Sequence, residues 1–306
     1  MSGLVIVGTD GSAPAAAAVG WAADDAVRKR AELRIVHALD RGPYAITGVA
    51  VPAPYVIAGA DVPELDEALR RAAAKVLEEA EAVARARQPE VPVTTRVVDG
   101  TPAAVLMDQA RDADDLVVGD RGLGGFTRAL LGSVTMKVAG QAPCPVVVVR
   151  DGPVDRTGDR TGERTGGSTG EIAVGVDGSE SCEPAIAYAF EQAALRGATL
   201  HLVHAWEVPV HAFAPEISYD ADEVRAARQE LVRARTERWQ AAHPEVPTVM
   251  DIRCAHPVDA LTTTPYDLVV VGSHGRGAIG ALLLGSVSRG VLHHARGTVA
   301  VVRPPA

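Results

Sequence analysis

Aromatic side chains are scarce in this chain: three Phe, three Trp and five Tyr make up 4% of it. A core so poor in rings must be filled by Ala, Val, Leu and Gly, which suits helices layered on a sheet. Cysteine is almost absent, with only Cys144, Cys182 and Cys254, widely spaced and without a Cys-x-x-Cys pair. That spacing indicates neither a disulfide framework nor a zinc site, and Cys144, ahead of a run of valines, reads as a small core residue. No apolar run approaches the roughly 20 residues of a membrane span, and the N-terminus lacks a basic segment followed by an apolar signal core. The expectation is a cytosolic, cytoplasmic chain with no membrane partner. A net charge of −9 argues against a surface built for nucleic acid.

Acidic residues are missing from two tracts of this acidic chain. None occurs between Leu268 and Ala306, where Arg276, Arg289, Arg296 and Arg303 stand with three histidines, and none between Arg121 and Val149, where Arg121, Arg128 and Lys137 stand. Both tracts coincide with a repeated glycine phrase: Gly119, Gly122, Gly132 and Ser133, then Gly272, Gly275, Gly285 and Ser286. Two residues separate the first glycine pair and nine separate the next, in both copies. Glycines leading to Gly-Ser at a helix start bring backbone amides up to an anion, and the missing acids leave that place electropositive.

A second phrase repeats as well. An apolar strand-like run ends in Gly8-Thr9-Asp10-Gly11-Ser12 and again in Gly175-Val176-Asp177-Gly178-Ser179. Asp10 aligns with Asp177 and His37 with His204 at a shift of 167, which falls to 155 at Gln88/His243 and to 153 at the glycine phrase. Each copy alternates β-branched runs, at 4–7, 33–36, 93–98, 116–118 and 146–149 in the first, with helical periodicity. Residues 13–30 follow Ser12 as an N-cap with Pro14 in the first turn, and Leu65, Leu69, Ala72, Val76, Ala80 and Val83 form one apolar stripe. The fold class read from this is α/β: two tandem open-sheet domains, each a five-stranded parallel sheet with helices on both faces, a Rossmann-like nucleotide-binding architecture.

The domains are drawn at 1–150 and 172–306. Between them, 151–171 is a tract of Thr, Gly, Arg and Asp with almost nothing apolar, read as a flexible linker. About 20 residues of random coil span on the order of 25 Å.

In an open parallel sheet, ligands bind at the carboxyl ends of strands, where these glycines and aspartates fall. A carboxylate at Asp10 or Asp177 accepts a hydrogen bond from a ribose hydroxyl or an adenine amino group, and its plainer role is a turn or helix cap. Gly8 and Gly175 let a flat base lie against the backbone. His37 and His204, at strand ends beside valines, read as histidines satisfied within the core.

These phrases resemble those of the universal stress protein family in its tandem form, over nearly all of both halves except the linker. The most specific element is Gly-x2-Gly-x9-Gly-Ser, similar to the signature of the family's ATP-binding branch. The resemblance implies that Asp10 and Asp177 face adenine and ribose, that Ala38 and Ala205 meet the adenine through their backbone, and that the glycine phrase holds ribose and phosphates. The turn residues Arg121, Gly124, His274, Arg276 and Gly277, with Val134 and Val287 at the helix starts, complete the implied binding set. It further implies ATP as the ligand, with Mg2+ as its companion, a regulatory role in stress or dormancy, pairing of the two domains through strands 146–149 and 299–302, and a homodimer as a further assembly.

The copies also differ. Asp120 in the first, where the second has Ser273, adds a carboxylate beside the first phosphate site that either repels a triphosphate or helps hold Mg2+. Thr262-Thr263-Thr264-Pro265 predicts a short helix in the second copy, ended by Pro265.

Other chemistries are weaker. Gly275-Arg276-Gly277-Ala278-Ile279-Gly280 formally fits a dinucleotide fingerprint, yet no acid follows about 20 residues on. No Gly-x4-Gly-Lys-Ser/Thr occurs, which excludes a P-loop ATPase. A nucleotide-hydrolysing enzyme needs a base, nucleophile and metal-ligand set that does not recur in both copies, so binding is favoured over turnover. A third reading is an interaction module with vestigial pockets, for which the apolar segment 44–62 is either a lid or a partner surface.

Overall fold

The computed structural model describes residues 3–40, 62–122, 131–150, 169–207, 221–275 and 284–304. Gly124, Arg276, Gly277, most of the 151–171 tract expected as a linker and all but the end of the 44–62 segment lie outside the described residues. The chain divides into two compact units, one ending at Val149 and the other taking up the chain from Arg150.

In the first unit, β1 (Leu4–Gly8), β2 (Glu32–Leu39), β3 (Val93–Asp99), β4 (Asp115–Gly119) and β5 (Val146–Val149) form parallel strands in the order β3-β2-β1-β4-β5. Four helices connect them: α1 (Ala13–Lys29), α2 (Val62–Arg87), α3 (Pro102–Gln109) and α4 (Ser133–Gln141). The chain steps one way from β1 to β3 and the other way from β4 to β5. Right-handed crossovers therefore put α1 and α2, which pack together, on one face, and α3 and α4, which pack together, on the other. Covered on both sides, β1 and β4 are apolar at nearly every position, and Val5, Ile6, Val7, Leu116 and Val117 are fully buried.

The second unit repeats this with β6 (Glu171–Gly175), β7 (Thr199–Trp206), β8 (Thr248–Cys254), β9 (Leu268–Gly272) and β10 (Thr298–Val302), in the order β8-β7-β6-β9-β10. Its helices are α5 (Glu183–Arg196), α6 (Ala221–Ala242), α7 (Pro257–Thr262) and α8 (Ser286–His294). β6 opens at Glu171, one residue before the boundary drawn from the sequence.

Local signals explain most element ends. Ser12 caps α1, its hydroxyl accepting from Ala15 N–H at 3.4 Å. α7 is short, as its sequence predicts, and ends at Thr262, ahead of Pro265. The hydroxyls of Thr262 and Thr263 donate to the Val258 and Asp259 carbonyls, and the Arg253 guanidinium donates to the Ala260 carbonyl at 3.0 Å, closing that end. The stripe predicted on α2 is rotated: Ala72 is exposed and Val76 and Val83 are half-buried, while Ala73, Leu77, Ala80 and Ala84 are buried. Small alanines let α2 lie close to α1 and β2, which a count of larger apolar residues misplaces by one position.

Candidate nucleotide site

In each unit the strand order reverses between the first and fourth strands, β1 and β4 or β6 and β9. At such a switch point the connections leave in opposite directions, and a crevice opens at the carboxyl ends. Asp10 follows β1 and the turn Gly119-Asp120-Arg121-Gly122 follows β4, so the two repeated phrases stand on opposite lips of one crevice.

The aspartates are set by tight turns. Ser12 N–H donates to Asp10 Oδ1 at 3.0 Å, and Ser179 donates to Asp177 Oδ1 through both its N–H, 2.9 Å, and its hydroxyl, 2.6 Å. The turn needs glycine next, with φ of +83° at Gly11 and +79° at Gly178. One carboxylate oxygen serves the turn and the other faces across the crevice. A Cβ at Gly122 would lie 2.4 Å from Asp10 Oδ2, and one at Gly275 would lie 3.0 Å from Asp177 Oδ2. Of the two roles considered for these aspartates, the turn role is filled.

The helix starts beyond the glycine phrase are open to an anion. Gly132 and Gly285 are the N-caps of α4 and α8, and neither start carries a side-chain cap or an acidic residue in its first turn. The first amides, at Ser133, Val134 and Thr135 and at Ser286, Val287 and Ser288, sit where the helix dipole is positive. Gly132 N–H donates to the Asp120 carbonyl at 2.9 Å and Gly285 N–H to the Ser273 carbonyl at 2.8 Å, tying each start to the turn after β4 or β9. Asp120 is buried with the Arg121 Nε 3.5 Å from its carboxylate; the corresponding pair in the second unit is Ser273 Oγ and His274 Nδ1, 2.9 Å apart.

Hydroxyls that the sequence reading passed over hold this geometry. Thr135 Oγ1 donates to the Gly119 carbonyl at 2.8 Å and Ser288 Oγ to the Gly272 carbonyl at 2.5 Å, satisfying the last carbonyl of the strand. Their signal was present in the repeat, since a hydroxyl follows Gly-Ser-Val in both copies.

Some of the glycines also answer to packing. A Cβ at Gly119 would lie 2.8 Å from the Pro14 backbone, so this glycine admits the first turn of α1. At Gly8 a Cβ would lie 2.8 Å from Leu106, and at Gly175 it would lie 3.2 Å from Leu261. On that side Gly8 is met by a leucine of α3 and Gly175 by a leucine of α7.

In the second unit these parts enclose a cavity of about 380 Å³. Gly175, Asp177 and Ala205 line one side, Gly272, His274 and Gly275 another, and Gly285, Ser286 and Val287 the helix-start end. Every described residue expected in the second site lines it. Further walls come from Cys182, Val203, Pro257, Leu261 and Val271, which a search for polar motifs does not single out. The Cys182 thiol donates to the Ser179 carbonyl at 3.0 Å, and burial pushes its pKa up to about 11, leaving it an unreactive wall.

Ala38 and Ala205 turn their backbone groups into the crevice. In β7 the odd-numbered residues face β6, since Thr199 N–H donates to the Gly170 carbonyl and the Val203 carbonyl accepts from Val176 N–H. β6 has ended by the level of Ala205, so its N–H and C=O point to the crevice side. The same alternation puts Ala38 beyond the end of β1.

Among the described residues no group of three or more His, Cys, Asp or Glu is placed to hold a metal ion. Also among the described residues, no helix is long and apolar enough to cross a membrane.

Comparison with known proteins shows the family. The model of the universal stress protein family matches residues 1–150 and again 169–303. A universal stress protein of Mycobacterium tuberculosis H37Rv is 34% identical over 301 residues, covering 98% of this chain and 96% of that one. A universal stress protein of Mycolicibacterium smegmatis is 33% identical over 303 residues, covering 98% and 97%. Among solved structures, a universal stress protein from Archaeoglobus fulgidus shares the fold at 18% identity with a TM-score of 0.66, covering 99% of this chain and 96% of that one. The chain belongs to the universal stress protein family, with the family domain present twice.

Proposed function

We propose that each unit binds one adenine nucleotide, ATP, in the crevice at its switch point, and that the protein acts as a nucleotide-bound regulator in stress or dormancy rather than as a catalyst. The observation that carries this reading is the second-unit cavity. Its volume of about 380 Å³ falls in the range of small-ligand sites, and its ends differ chemically in the way a nucleotide's ends differ. At one end Ala205 offers a backbone donor and acceptor beside Asp177, suited to a base and a ribose. At the other, the uncapped start of α8 offers amides and a dipole suited to phosphates. The first unit has the same parts in Asp10, Ala38, Gly122, Gly132 and Ser133.

The test is native mass spectrometry of the purified full chain, followed by calorimetric titration with ATP. Two nucleotides per chain are expected, falling to one in Asp10→Ala and in Asp177→Ala. A chain that neither retains nor binds ATP overturns the proposal.

A further inference from the structure

At the end of β1 the ladder with β2 lacks a rung. Thr9 N–H donates to the Val36 carbonyl at 3.0 Å, and in parallel pairing the next bond runs from Ala38 N–H to the Thr9 carbonyl. That bond is not made. The Thr9 carbonyl is engaged by the imidazole of His37, whose Nδ1 lies 2.9 Å away. The second unit does the same: Val176 N–H donates to the Val203 carbonyl at 2.9 Å, and the Val176 carbonyl is met by His204 Nδ1 at 2.6 Å in place of Ala205 N–H. A carbonyl only accepts, so Nδ1 carries the proton in both rings.

The carbonyl concerned is the one immediately before Asp10 or Asp177. A buried carbonyl there must be satisfied, and the alanine amide would satisfy it if the strands stayed paired. An imidazole donor from the preceding residue does so instead, and leaves the alanine's N–H and C=O turned into the crevice. A residue in a strand presents donor and acceptor on the same side. For a base whose place is fixed by its ribose, adenine's amino donor beside its ring-nitrogen acceptor complements that pair, whereas guanine sets an acceptor and an N–H donor at the same two places and opposes it.

We infer that His37 and His204 are positioning residues, each withholding the following alanine's amide from the sheet so that the site reads adenine. The inference rests on the nucleotide reading above and names what sets its base preference.

The experiment compares the full chain with His37→Leu/His204→Leu, which removes both donors, and His37→Asn/His204→Asn, whose side-chain amide nitrogen stands near the place of Nδ1. ATP, GTP and inorganic tripolyphosphate are titrated into each by calorimetry, with thermal melting as a check on folding. The wild type should prefer ATP to GTP. The leucine pair should lose about tenfold in ATP affinity and most of the ATP/GTP preference, with tripolyphosphate binding unchanged, and the asparagine pair should recover the preference.

A leucine pair that folds and keeps the wild-type preference overturns the inference, as does a folded asparagine pair that recovers nothing. Should the leucine pair not fold, the amide resonances of Ala38 and Ala205 in labelled wild type decide: a shift on ATP addition that tripolyphosphate does not produce supports the inference, and its absence overturns it. A wild type that binds no ATP overturns the nucleotide reading and this inference together, whereas the other adverse results overturn this inference alone.

Discussion

Asp10 and Gly122 meet across the crevice of the first unit so closely that a Cβ at Gly122 would stand 2.4 Å from Asp10 Oδ2; the matching distance from Gly275 to Asp177 is 3.0 Å. The two copies thus tolerate a methyl group differently. Gly122→Ala must push the carboxylate aside and is expected to weaken the first site about tenfold, while Gly275→Ala weakens the second about threefold. Calorimetry resolving two sites checks this, and equal losses in the two variants would count against the geometry.

The hydroxyls of Thr135 and Ser288 bind the last carbonyls of β4 and β9. Thr135→Val keeps the shape and leaves the Gly119 carbonyl without its donor, which is expected to destabilise the first unit by about 1–3 kcal/mol. Ser288→Ala should do the same to the second. Denaturant unfolding followed separately for the two units measures the change, and an effect below a few tenths of a kcal/mol contradicts the assignment.

A buried cluster lies at the amino end of the first sheet, away from the crevice. Lys29 of α1 pairs with Asp25 at 3.5 Å and with Asp115 at the start of β4, and both carboxylates are fully buried. Lys29→Met strips the cation from two buried acids and is expected to cost about 3–5 kcal/mol. The second copy has Gln192, Arg196 and Leu268 at these places. Introducing Asp25→Gln, Lys29→Arg and Asp115→Leu together should recover most of that loss, which urea denaturation reads directly.

Asp24 joins α1 to the end of α2. Burial works against its charge but is outweighed by hydrogen bonds from Arg87, at 2.8 Å, and Gln88, at 2.7 Å, which hold its carboxyl below the usual range. A depressed carboxylate contributes stability above its unfolded pKa of about 3.9 and loses it as the pH falls through the folded value. Asp24→Asn should therefore cost about 1 kcal/mol at pH 7, allowing for solvent screening, and almost nothing at the acid end of the transition. Unfolding free energies at pH 7 and pH 3 test the sign.

Thiol chemistry should single out one cysteine of three. Cys144 and Cys182 are buried, and burial raises their pKa values to about 12 and about 11, whereas Cys254 is exposed. A chromogenic disulfide reagent at pH 8 is expected to modify Cys254 alone in the native chain, and Cys254→Ser should abolish the fast reaction.

The strands were legible because a doubly covered parallel sheet demands valine-rich runs, and α1 because Ser12 and Pro14 mark its start. The crevice residues were legible because they recur. What did not recur as a motif stayed hidden. The Lys29 cluster joins residues far apart in the chain that only the β1–β4 crossover brings together, and nothing in a linear reading distinguishes a buried aspartate from a surface one. Gly8 and Gly119 were visible as glycines, but a glycine that admits a leucine or a helix turn looks in sequence like one that admits a ligand. The histidines were visible too, and only the register of β2 and β7 shows that their rings stand where a backbone amide should.

The strand order has one more consequence. Asp10 and Gly122 are separated by more than a hundred residues, and every strand of the unit but the last lies in that interval or directly before it. No contiguous fragment short of nearly a whole unit contains a site, and the crevice exists only after the slow, long-range pairing of β1 with β4 has closed. A ligand held there stabilises a finished unit and no partly folded one, so its presence reports that folding is complete.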